Sequence, residues 1–152
     1  MIYIILALKA EAQAFVDKYK LKNYKDDKIS IIISGMGREN MKTTTCQVLK
    51  NFTNDDKIVN VGICGANQKY NIGELIDGLK QKITCVDYEV NDERFEIVDM
   101  ESDGFLEATK DIKNRYIFKI VSDHFKPQSI TKDKAKKLIF DNIDEIMRRV
   151  ER

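Results

Sequence analysis

Three carboxyl groups stand where the chain leaves an apolar run: Glu11 just after residues 2–8, Glu101 after residues 95–98, and Asp123 directly after residues 116–122. Acids this far apart along a polypeptide can divide acid and base work when a fold gathers them, and such help is typically worth about 10² to 10⁴ in rate. Each also has an ordinary explanation. Glu11 and Glu101 fall where a first helical turn would begin, and the helix dipole stabilises a carboxylate there by about 0.3 to 1 kcal/mol. Asp123 could cap a helix or shape a turn. Other chemistries are poorly supplied. His124 is the sole histidine, and Cys46, Cys64 and Cys85 contain no C-x-x-C pair, so a zinc site would need an unusual ligand set and no metal is implied. Cys64 reads as a small buried side chain, Met100 as core, and His124 as a solvent-facing loop residue.

Gathering such groups is the task of the elements around them. Residues 2–8 form a nearly unbroken, isoleucine-rich run that suits a strand covered on both faces. Residues 10–19 change period, with Ala12, Phe15, Val16 and Tyr19 at helical spacing. Residues 22–28 read as a turn or short hairpin with Asp26 and Asp27 at its tip, and residues 29–33 as a strand ended by Gly35, Met36 and Gly37. A helix is predicted over 38–52, with Met41, Thr45, Val48, Leu49 and Phe52 inward, and a third strand over 58–63. Residues 83–90 alternate as a strand would, the connection 78–82 suits either turn or helix, and 95–98 is a short strand. Residues 101–112 look helical, although Gly104 weakens that pattern; 116–122 is a strand. A final helix starts near Thr131 with Leu138, Ile139, Ile143, Ile146, Met147 and Val150 as its apolar stripe. Lys132, Lys134, Lys136, Lys137, Arg148 and Arg149 make its opposite face, read as solvated. The alternation predicts an α/β domain with a largely parallel sheet. In such folds ligands bind beyond the carboxyl ends of strands, here residues 8–11, 35–38, 62–66, 99–101 and 122–124. Gly35, Gly37, Gly62 and Gly65 most simply permit tight turns.

A length of 152 residues with 43% hydrophobic content fits one domain with a proper core, residues 1–152, rather than a disordered or disulfide-stapled chain. A net charge of +1 argues against a dedicated nucleic-acid binder. No apolar run approaches the roughly 20 residues that span a bilayer, and no basic region precedes the first apolar stretch, which reads as structure rather than as a secretory leader. Reduced thiols suit a cytoplasmic protein.

The stretches ALKAEAQAF, ISGMGREN, VNVGICGANQKYNIGELI, IVDMES and FKIVSDHF occur in an order that resembles the purine nucleoside phosphorylase superfamily. The nearest branch is the methylthioadenosine/S-adenosylhomocysteine nucleosidases. The resemblance implies a three-layer sandwich around a central, mostly parallel mixed sheet, shortened between about residues 77 and 96, where the family carries extra strands and a helix. It implies that Glu11 orients or deprotonates an attacking water. Met100 would pack on the ribose, Glu101 would accept its hydroxyl protons, and Asp123, positioned by Ser122, would serve N7 of the leaving purine. Gly65 and Ile63 join Met100, Glu101 and Ser122 as substrate-binding candidates.

Breaking a ribosyl C–N bond develops positive charge on the sugar and negative charge on the base, so the leaving purine needs a proton. An acid in that role needs a raised pKa, a separate ionised carboxylate must aim the nucleophile, and a third near the sugar favours the cationic transition state. Phosphorolysis would need cationic or hydroxyl donors for a phosphate dianion. The family's Arg and Ser positions for phosphate carry Asn60 and Ile63 here, leaving Arg38 as a possible donor, so water is the expected nucleophile. The implied activity is hydrolysis of a purine nucleoside without cofactor, by a chain that could form a homodimer. The alternatives are a nucleoside-binding or interaction domain without turnover, or a phosphorylase.

Overall fold

The computed structural model describes residues 1–152. Its seven strands are β1 (Ile2–Leu6), β2 (Ile29–Ile33), β3 (Lys57–Ala66), β4 (Leu75–Asp77), β5 (Thr84–Cys85), β6 (Ile97–Asp99) and β7 (Arg115–Asp123). Four helices accompany them: α1 (Lys9–Tyr19), α2 (Arg38–Leu49), α3 (Ser102–Ala108) and α4 (Lys132–Val150). The long β3 organises the sheet. One edge pairs in parallel with β1 from Ile2↔Lys57 to Ile5↔Asn60, then antiparallel with β6 at Gly65↔Val98 and Ala66↔Ile97. The other edge runs parallel to β7 from Ile58↔Arg115 to Gly65↔Asp123. Beyond these, β2 lies parallel to β1, β5 parallel to β6, and β4 antiparallel to β7. The sheet is thus mixed and mostly parallel, as the alternation of elements predicts.

Both faces of the sheet are covered, which is why its central strands are apolar at consecutive positions. Ile4, Leu6, Val59, Val61 and Phe118 pack on one side with Phe15 of α1 and Ile139, Ile143 and Ile146 of α4. Ile5, Ile58 and Ile117 face the other way, onto Met41 of α2 and Phe105 of α3. Gly104 belongs to α3 rather than interrupting it. A Cβ there would fall 2.1 Å from the Arg38 carbonyl oxygen, so the glycine is what lets α3 lie against α2.

The expected strand over 83–90 shrinks to Thr84–Cys85. Its partner β6 ends at Asp99; Val86 N–H makes the last ladder bond, 2.8 Å to the Asp99 carbonyl, and residues 87–96 have no strand beside them. The helices predicted over 38–52 and 101–112 end at Leu49 and Ala108, and β4 arises in a segment with no evident strand pattern. Gly62 and Gly65 lie inside β3 instead of in a turn. No helix is long and apolar enough to cross a membrane.

Candidate active site

A cavity of about 790 Å³ opens where β1, β3 and β7 end. Glu11, Ile63, Gly65, Met100, Glu101, Ser122 and Asp123 all border it. Arg38 does not: its guanidinium lies 3.5 Å from the exposed Asp87 carboxylate, outside the lining. His124 is half-buried rather than solvent-facing, its Nδ1 3.0 Å from the Ala66 carbonyl oxygen, and it borders a separate hollow with Glu89 and Glu93.

The chain leaves β1 and turns at Leu8 into α1, which brings Glu11 back over the strand ends. Glu11 is 2% exposed, and two backbone donors fix its carboxyl group: Leu8 N–H at 2.9 Å to Oε1 and Ile63 N–H at 3.0 Å to Oε2. Burial pushes this carboxyl group up to about 7, against the opposing pull of Lys119 and the two N–H donors.

Lys119 projects from the middle of β7, opposite Gly62 of β3. A Cβ on Gly62 would sit 3.2 Å from Glu11 Oε2 and 3.2 Å from Lys119 Nζ, so the bare backbone is what gives both side chains room. The Lys119 ammonium ends 3.0 Å from Asp99 Oδ2, and both side chains are sealed from solvent. Burial disfavours its charge, but Asp99, Glu101 and Glu11 outweigh that cost and hold the ammonium above its ordinary range.

Asp99 has a second task. It accepts Ser102 N–H at 2.9 Å and Ser102 Oγ–H at 2.6 Å, shaping the turn that leads from β6 into α3 and presents Met100 and Glu101. Glu101 Oε2 accepts Gly37 N–H at 2.8 Å from the loop before α2. Its carboxyl group is also raised by burial, with Lys119 opposing. Across the cavity, Asp123 Oδ1 lies 2.6 Å from Ser122 Oγ, and Oδ2 accepts Lys126 N–H at 2.8 Å. Phe125, between them, adopts a φ of 59°, an uncommon conformation for a bulky residue, and its ring is buried against Val90 and Val98.

Glu11, Asp99 and Glu101 therefore surround one buried ammonium, with Asp123 bordering the same cavity, an arrangement suited to stabilising positive charge on a bound molecule while exchanging protons at its two ends. Lys119 and its partner Asp99 were not among the residues singled out from sequence as chemically active. The available signal was a lone lysine flanked by Ile117, Phe118, Ile120 and Val121, since a charge inside a doubly covered strand must be buried and paired.

No protein-family model matches the sequence, and no curated protein matches it by sequence. Solved structures match it by shape. A Francisella philomiragia protein assigned to the 5′-methylthioadenosine/S-adenosylhomocysteine nucleosidases aligns at a TM-score of 0.78 and 14% identity, covering 99% of this chain and 98% of that one. The Neisseria meningitidis 5′-methylthioadenosine/S-adenosylhomocysteine nucleosidase, in complex with methylthio-immucillin-A, aligns at 0.73 and 12% identity over 96% and 97% of the two chains. Helicobacter pylori futalosine hydrolase aligns at 0.72 and 12% identity over 95% and 98%. At this level of identity the likeness establishes the fold: this chain has the nucleoside phosphorylase-like architecture of these structures.

Proposed function

We propose that the chain is a nucleosidase, hydrolysing the N-glycosidic bond of a purine nucleoside of the methylthioadenosine or S-adenosylhomocysteine kind. The observation that supports this most is the convergence of Glu11, Glu101 and Asp123 on one cavity, the first two held beside the buried Lys119. Glu11, poised near neutral pH and held by two backbone donors, is the base that orients and deprotonates water. Glu101 accepts the ribose hydroxyls beside Met100 and places negative charge near the sugar as it becomes cationic. Asp123, steadied by Ser122, hydrogen-bonds and protonates the departing purine. Lys119 keeps this acid-rich site ionisable without being consumed. Neither Lys119, buried and paired with Asp99, nor Arg38, beside Asp87, borders the cavity to hold a phosphate at the anomeric carbon, which favours water.

The test is release of free base, followed by chromatography, from methylthioadenosine, S-adenosylhomocysteine, adenosine and inosine, with and without phosphate. Release independent of phosphate is expected, falling by about 10² to 10⁴ in both Asp123→Asn and Glu11→Gln. Tight nucleoside binding with no base released at high enzyme concentration would sink the proposal.

A further inference from the structure

Of the four non-glycine residues with left-handed backbone, Lys20, Asn23 and Tyr24 lie between α1 and β2, and the fourth, Phe125, stands two residues beyond Asp123 at a φ of 59°. A bulky side chain rarely adopts that conformation, and it persists only where the surroundings hold it. Two attachments do so here. The chain turns back at Phe125, and Lys126 N–H returns to Asp123 Oδ2 at 2.8 Å. Pro127 keeps Lys126 itself out of the helical region, so the reversal is made one residue earlier. The ring of Phe125 is 3% exposed and packs on Val90 and Val98, with Val86 and Phe95 alongside. Gly65 leaves space for ring and carboxyl group together: a Cβ there would sit 3.5 Å from Phe125 Cδ1, 3.6 Å from Asp123 Oδ2 and 3.3 Å from Val98 Cγ2.

Relaxing φ to an ordinary negative value would swing the ring out of this apolar cluster and carry Lys126 N–H away from Oδ2. Asp123 would then keep only Ser122 Oγ, 2.6 Å from Oδ1, and its carboxyl group would be free to turn. An acid serves a leaving base only when its oxygen lies within hydrogen-bond reach of the accepting atom, so direction counts as much as proximity. Phe125 itself borders the hollow beside His124 and not the active-site cavity, so it acts through the turn rather than on a bound molecule. We propose that Phe125 is a positioning residue for Asp123: its left-handed backbone brings Lys126 N–H onto the carboxyl group, and burial of its ring keeps the backbone there. The inference rests on the reading of Asp123 as the acid that serves the departing purine.

Steady-state kinetics of base release by the full chain test this with two pairs of substitutions. Phe125→Ala and Phe125→Gly both delete the ring, but only glycine enters the left-handed region freely. Phe125→Leu and Phe125→Ile both keep an apolar side chain of one size, but β-branching makes left-handed backbone costlier for isoleucine. Within each pair kcat is expected to be higher for the first-named property, glycine over alanine and leucine over isoleucine, by ~5-fold or more, the scale set by the cost of that backbone. In an Asp123→Asn background, assayed at high enzyme concentration, both differences should vanish, because no proton is left to aim. A mere packing role predicts otherwise: glycine, which loosens the chain, would do no better than alanine, and leucine and isoleucine would match. Where loss of the ring leaves the chain unfolded, the leucine and isoleucine pair decides. Equal kcat within either pair of folded variants overturns the inference, as do losses confined to KM, since the ring would then only prop the loop 86–90. Differences that persist in Asp123→Asn overturn it too. Absence of any base release from the unsubstituted chain overturns the nucleosidase proposal and this inference with it, whereas release with matched pairs overturns this inference alone.

Discussion

A carboxyl group pushed up to about 7 is divided between its two forms at neutral pH, so small changes around Glu11 decide how much base the site contains. Lys119 is the largest influence opposing burial there. Replacing it with Met removes that opposition, and the Glu11 carboxyl rises further, because burial then acts with only the two backbone donors against it. The acid limb of kcat/KM should move above pH 7, with activity at pH 7 falling roughly tenfold for each unit the limb moves. Lys119→Arg, which keeps the charge, should hold the limb in place. A merely structural role for Lys119 would instead lower kcat/KM alike at every pH, and a pH profile of the two variants separates these outcomes. The three acids were legible in the sequence because they mark the ends of apolar runs. Lys119 was harder to see because its importance depends on register: only pairing β7 with β3 at Gly62 turns a mid-strand lysine toward Glu11 and Asp99.

Among the elements, α2 and α3 show how a local rule and a tertiary demand can disagree. Alanine at position 104 should strengthen an isolated helix by about 1 kcal/mol relative to glycine. In the folded chain its methyl group would meet the Arg38 carbonyl at 2.1 Å and the Lys42 backbone nitrogen at 3.1 Å, and backbone cannot rotate away as a flexible side chain can. Gly104→Ala is therefore expected to destabilise, by about 1 to 3 kcal/mol or more as overpacking does, read as a lower urea midpoint at unchanged slope. An unchanged or raised midpoint would mean that the two helices are free to separate. The same conflict explains where sequence reading stopped short. The helix pattern over 101–112 was right in kind, but glycine looked like a weakness because the neighbour that requires it lies more than 60 residues earlier, at Arg38. The strand over 83–90 failed for a related reason. Its alternating pattern was real, yet a strand persists only while a partner runs beside it, and β6 ends at Asp99.

At the scale of the whole molecule, a core on each face of the sheet gives the stability against which a buried acid site can be held, and that cost should be measurable as a pH dependence. In the unfolded chain Glu11 titrates near its ordinary 4.5; in the folded chain it titrates near 7. Below 4.5 it is protonated in both states and burial costs little. As pH rises, the unfolded chain loses the proton first and is favoured, so stability is lost progressively and the loss is complete once pH passes the folded value. The full effect is on the order of 3 kcal/mol, and Glu101, also raised by burial, adds in the same direction. The carboxyl groups held low by their partners, Asp17, Asp26, Asp56 and Glu145 among them, act with the opposite sign, but most of their contribution is in place by pH 5 because their ordinary values lie below it. Between pH 5 and pH 8 the thermal midpoint of the ligand-free protein should therefore fall, by about 2 to 4 °C for each kcal/mol lost in a chain of this size. In Glu11→Gln, whose amide does not titrate, the fall should be much shallower, whatever the substitution does to the midpoint at any single pH. Parallel curves for the two proteins would mean that Glu11 titrates in the folded chain at the same pH as in the unfolded one, so that its burial carries no cost in protonation.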